Sequence, residues 1–94
     1  MTNYEALYII SVEDESIIPD TVEKFKSLVQ TNGGEVAGVD EWGRKKLAYP
    51  IDYKEDGYYV LMTFSSAPEF PKELERNFKI ADNIIRYLVT KLES

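Results

Sequence analysis

The residues best equipped for chemistry lie in one segment, Asp40 to Ile51, which reads DEWGRKKLAYPI. Three consecutive cations, Arg44, Lys45 and Lys46, stand between Trp42 and Tyr49. A guanidinium can grip a phosphate through two parallel hydrogen bonds, lysines add point charge, and nearby aromatic rings can stack on an exposed base or a ribose. Gly43 allows a bulge or sharp bend beside them. The same residues also suit a second purpose, because lysine and proline guard edge strands against pairing with another chain, and Pro50 has no N–H for a central ladder. In that case Trp42 and Tyr49 pack rather than stack. If the cations do meet phosphate, three contacts give a salt slope of only about −2 to −3, so a second binding component is expected.

Other chemistry has little to work with. The chain contains no histidine and no cysteine, so the commonest general base, the commonest metal ligand and all thiolate chemistry are missing. The acidic clusters Glu13-Asp14-Glu15 and Asp40-Glu41 lack the further ligands of a calcium loop, and Gly33-Gly34 has no phosphate-binding fingerprint around it. No enzyme, no metal or cofactor and no small-molecule substrate are expected. Seventeen acids against eleven bases leave a net charge of −6, so a uniform surface would repel phosphate and any contact with nucleic acid must be local. No apolar run is long enough to span a bilayer and the start of the chain lacks signal-peptide features, which makes the cytoplasm the expected compartment and a membrane an unexpected partner.

The elements that would position these residues follow from periodicity. Asn3 to Ser11 reads as a strand, and Ile18, Val22, Phe25, Leu28 and Val29 form a helical stripe with Ser16 as N-cap, Pro19 in the first turn and Gly33-Gly34 as the stop. Val36 to Asp40 resumes as a strand into the cationic segment, and Tyr58 to Phe64 is the strongest strand signal. The intervening DYKEDG, with Asp56-Gly57 as its turn signal, is expected to close a long protruding hairpin. Pro68 opens a second helix with Phe70, Leu74, Phe78 and Ala81 on its apolar stripe, Asp82-Asn83 breaks it, and Ile84 to Leu92 reads as a last strand. The order β-α-β-β-α-β is that of an α+β, ferredoxin-like fold, a four-stranded antiparallel sheet with two helices on one face. Ninety-four residues suit a single domain over residues 1–94.

The strand alternation then sorts side chains. Tyr4, Tyr8, Ile10, Val60, Met62, Phe64, Tyr87 and Val89 are expected to face the helices. Leu7, Ile9, Tyr59, Leu61 and Leu88, together with Arg86, are left on the open face, where an antiparallel sheet ordinarily turns polar. Lying adjacent, they would make an apolar patch of roughly a few hundred Å², the size that marks partner sites. Scattered exposed aliphatics, or an inversion of the two faces by a slip of one residue, are the alternatives. An RNA-recognition motif shares the element order, but in DGYYVLMTF the positions of its stacking aromatics are largely taken by other residue types, which argues against base stacking on the sheet face.

Together, EWGRKKLAYPI, YYVLMTF and FKIADNIIR, in this order after a Tyr-Glu first strand, resemble the family of the sixth protein of the bacterial small ribosomal subunit. The likeness spans almost the whole chain. It implies a ribosomal RNA-binding protein without catalysis, joined to the central domain of 16S ribosomal RNA as a heterodimer with the eighteenth small-subunit protein. By this resemblance the basic hairpin falls on Arg44 and Lys45, the Tyr-Pro-Ile on Tyr49, Pro50 and Ile51, the basic residue of the last strand on Arg86, and the partner lies on the open face. Family members often carry a basic residue directly after the initiator methionine, whereas this chain has Thr2 and Asn3. The competing class is a small regulatory or ligand-binding ferredoxin-like module that dimerises through its sheet face.

Overall fold

A computed structural model describes residues 1–51 and 54–92, the side chains of 48–51 and 54 excepted. Strand β1 spans Thr2–Ser11, helix α1 Ile18–Thr31, β2 Glu35–Ile51, β3 Lys54–Ser66, α2 Phe70–Ile80 and β4 Ile84–Lys91. The sheet order is β2-β3-β1-β4 and every neighbouring pair is antiparallel. This is the expected ferredoxin-like arrangement, with β2 and β4 at the edges.

Both helices lie on one face because each carries a single apolar stripe. Ile18, Val22, Phe25 and Val29 of α1 and Phe70, Leu74 and Phe78 of α2 are buried against Tyr4, Ala6, Tyr8 and Ile10 of β1 and Val60, Met62 and Phe64 of β3, with Tyr87 and Val89 packed alongside. At the centre, the rings of Phe25 and Phe78 lie 4.5 Å apart and that of Tyr8 lies 5.3 and 5.0 Å from them. Aromatic groupings of this kind add to the stabilisation from buried area alone. Burial, with a smaller contribution from the Glu41 carboxylate, holds the Tyr8 hydroxyl neutral well above its usual titration range.

Helix ends differ from expectation in detail. Ser16 does not cap α1. Its amide donates to Asp14 Oδ1 at 3.1 Å, so Asp14 caps a short 3-10 turn, Glu15–Ile17, from which α1 continues with Pro19 in its first turn. The stop is as expected: Gly33 N–H donates to Gln30 C=O and Gly34 N–H to Val29 C=O, with Gly33 at φ 82°, the paired bonds of a Schellman ending. A Cβ on Gly34 would stand 2.7 Å from the Ser65 carbonyl oxygen. Helix α2 begins at Phe70 rather than Pro68, with Pro71 at the tolerant position inside its first turn.

Asp56-Gly57 is not a turn. Both residues lie inside β3, Gly57 opposite Ser11 on one side and Lys45 on the other, and the hairpin strands pair out to Ile51 and Lys54. Gly57 serves close approach instead: a Cβ there would collide with Ile9 Cγ2 and touch Leu47 Cδ2 and Ile85 Cδ1 at 3.4 and 3.6 Å. Asp82-Asn83 is the joint between α2 and β4. Asn83 Nδ2 donates to Thr21 Oγ1 at 2.8 Å, Thr21 Oγ1 donates to the Ile17 carbonyl at 2.8 Å, and the Asn83 carbonyl accepts from Ser11 N–H at 2.8 Å. Through its side chain and its backbone carbonyl, Asn83 thereby ties together the end of β1, the start of α1 and the entry to β4.

Two substitutions test these assignments. Gly57→Ala is expected to lower stability by about 1–3 kcal/mol through overpacking, read as a lower midpoint in thermal or urea unfolding. Asn83→Ala should cost about 1 kcal/mol by removing the side-chain link to Thr21 while the backbone bond from Ser11 persists; an unchanged midpoint would show that the joint holds without it.

Candidate nucleic-acid interface

Strand β2 does not run straight. Its register against β3 shifts between Val36 and Gly38 and again between Glu41 and Gly43, so Trp42 is an extra residue opposite the Val60–Tyr59 step, and Gly43 takes φ 86°. Such a bulge reverses the faces of everything beyond it. Glu41 pairs with Val60 on the helix side, whereas Gly43 pairs with Tyr59 on the open side. Arg44 and Lys46, opposite Tyr58 and Asp56, therefore fall on the helix side, and Lys45, opposite Gly57, falls on the open side.

The three cations thus do not form one cluster. Arg44 is engaged within the fold: Nη1 donates to Glu15 Oε1 at 2.9 Å, and Nε and Nη2 donate to Asp56 Oδ2 at 3.2 and 3.1 Å. These groups are well exposed, so the pairing orients Arg44 more than it stabilises the fold. Nearby, the Tyr58 hydroxyl donates to Glu41 Oε1 at 2.9 Å, and burial together with that bond raises its titration above the usual tyrosine range. Lys45 instead reaches back over Trp42, its ammonium 5.3 Å from the ring centroid. Trp42 in turn stacks on Tyr59 at 6.3 Å and 12°, and its Nε1–H donates to Asp40 Oδ2 at 3.0 Å. Trp42 is 41% exposed, so it packs on one face and remains accessible on another. The side chain of Tyr49 lies outside the described residues.

The open face is brought together by register. Leu61, Leu7 and Leu88 stand side by side across β3, β1 and β4, and Tyr59, Ile9 and Arg86 form the next row. Leu7, Ile9, Arg86 and Leu88 line a shallow groove. Toward the other end the same face turns polar, with Thr63, Glu5 and Thr90 in the row beyond. Ile9 departs from expectation: it is only 7% exposed, because it fills the space left by Gly57, where Leu47 and Ile85 also converge. Leu88 is the most open of the set, 62% exposed on an edge strand. Sequence reasoning missed Leu47 and Ile85, whose faces are set by the irregular registers of β2 and β4, and it missed Glu15 and Asp56 as partners of Arg44. Among the described residues no group of three or more acidic side chains is placed to hold a metal ion, and no helix is long and apolar enough to cross a membrane.

Comparison with known proteins places this geometry. The family model of ribosomal protein S6 matches residues 3–91. The chain belongs to the ribosomal protein S6 family. It is 51% identical over 94 residues to the small ribosomal subunit protein bS6 of Clostridium acetobutylicum and 48% identical to that of Clostridium novyi, with 99% of both chains covered in each case. The crystal structure of 30S ribosomal protein S6 from Thermotoga maritima is 26% identical and matches with a TM-score of 0.91, covering 97% of this chain and 87% of that one. The S6 family is one of structural ribosomal proteins, so the chain is not an enzyme.

The open placement of the S6 patch carries a stability expectation. Leu88→Asp should shift the unfolding midpoint little, since an exposed site away from special contacts usually changes stability by within about 0.5 kcal/mol. Leu61→Asp should cost more, because its cross-strand neighbour is Asp40 and like charges directly opposite repel. A larger loss for Leu88→Asp in urea unfolding would contradict the assigned face.

Proposed function

We propose that this protein is a structural component of the small ribosomal subunit, working in the cytoplasm, and that it binds the central domain of 16S ribosomal RNA together with the eighteenth small-subunit protein. The observation that carries this reading is the meeting, on one open sheet face of an S6-family chain, of an apolar band with two cations: Leu7, Leu61, Tyr59 and Leu88 lie beside Lys45 and Arg86. The band supplies the partner contact, with Ile9 as its buried floor. Arg44, Lys45, Lys46 and Arg86 supply phosphate contacts, and Trp42 and Tyr49 shape the surface around them. Residues 1–94 act as one unit in this role.

The charge balance explains why a partner is needed. With a net charge of −6 the free chain attracts RNA weakly, and a few local cations give few released counterions. A basic partner seated on the apolar band adds the remaining positive charge and extends the binding surface, so the two proteins bind RNA cooperatively.

Filter binding to transcribed central-domain RNA tests the proposal. The chain alone should bind weakly, and addition of the partner should raise its affinity roughly 5- to 150-fold, the usual span of coupling between sites; equal binding with and without the partner would refute it. Leu88→Asp should abolish that gain. Lys45→Ala should reduce the salt slope by about 0.9, one phosphate contact, and Arg44→Ala by less, because its guanidinium is already shared between Glu15 and Asp56. Unchanged slopes in both variants would assign these cations to edge protection.

A further inference from the structure

We infer that Trp42 is a positioning residue that holds the Lys45 ammonium in place for a phosphate of the bound RNA, an inference that rests on the proposed RNA contact of the cationic segment. A lysine side chain on a surface samples many rotamers, and ordering it on binding costs affinity. Here one contact to Lys45, supported by two contacts that fix Trp42, limits that freedom before RNA arrives. Trp42 is the bulged residue of β2, so its indole is carried over the open face and stacks on Tyr59. Its Nε1–H is anchored to Asp40 Oδ2, which fixes the ring plane. The ring face offers its negative quadrupole to Lys45 Nζ at 5.3 Å. Finally, the residue directly across from Lys45 is Gly57, which has no side chain to compete for the ammonium.

The indole lies on one side of the ammonium, and Lys45 is exposed, so an oxyanion can approach from the side away from the ring. Arg44 differs in kind, since its donors are already committed to two carboxylates. The triplet is therefore divided by the bulge: Arg44 is exchanged from carboxylates to phosphate, whereas Lys45 is pre-oriented over the Trp42 ring. Lys45 lies opposite Gly57 at the hairpin end of the face, beyond the leucine row proposed for the partner, a position that favours phosphate over a partner carboxylate.

A double-variant cycle tests this on transcribed central-domain RNA with the partner present. Trp42→Ala should lower affinity about two- to fivefold, the size of an exposed cation–π contact, and leave the salt slope unchanged because the charge remains. In a Lys45→Ala background the same change should have no further effect. Trp42→Phe, which keeps an aromatic face on Tyr59, should restore most of the affinity and also guards against misfolding of the alanine variant. An equal loss for Trp42→Ala with and without Lys45 would overturn the inference in favour of packing alone, as would a loss of partner pairing with unchanged RNA binding. If Lys45→Ala by itself changes neither affinity nor salt slope, the proposed RNA contact has failed rather than the role of Trp42.

Discussion

The structure depends on the unbroken pairing of β1 with β3. From Thr2 opposite Ser66 to Ser11 opposite Gly57 the register does not slip, and because successive strand residues point to opposite faces, this one alignment sorts both central strands at once. Tyr4, Ala6, Tyr8 and Ile10 meet Phe64, Met62, Val60 and Tyr58 on the helix side, while Leu7 meets Leu61 and Ile9 meets Tyr59 on the other. A slip of one residue would bury the open-face set under the helices and expose the aromatic centre. The Phe25, Phe78 and Tyr8 rings make that slip costly, since each large ring fits only the space left by the others.

Against this fixed pair the edge strands are irregular, and the Trp42–Lys45 contact and the Arg44 ion pairs gather at the irregularity of β2. Strand β2 carries two register shifts before its hairpin, and β4 carries one against β1 between Ile9 and Ile10. Bulges on edges discourage pairing with foreign strands, so edge protection and ligand contact are compatible roles for the cationic segment. The bulge at Trp42 twists the edge and aims the side chains beyond it. Gly57 contributes from the neighbouring strand by leaving room for Ile9, Leu47 and Ile85, which closes the hairpin end of the open face around an apolar floor.

The electrostatics follow the same division. Acidic residues dominate the chain, yet the fold uses several of them to orient cations and donors: Glu15 and Asp56 hold Arg44, Asp40 anchors Trp42, Glu41 receives Tyr58, and Glu73 pairs with Arg76 on α2. None of these exposed contacts adds much to stability. Their effect is geometric, which is the property a small ribonucleoprotein component needs when its own charge works against RNA.

By itself the sequence determined the element order, the helix stripes, the inward set of the core and the apolar character of the open face, because these follow from local periods of two and 3.6 residues. It also carried the family in DEWGRKKLAYPI. Asp56-Gly57 and Ser16 depart from expectation for the same reason that makes short motifs weak: a Gly after Asp fits a turn and equally a strand that must admit a neighbour, and a Ser before a helix fits a cap and equally the turn that Asp14 caps. Only the tertiary structure decided which way each cation faces, that Arg44 reaches Glu15 across 29 positions, and that Asn83 reaches Thr21 across 62. Those outcomes depend on one extra residue in an edge strand and on elements distant in the chain, and no local period records either.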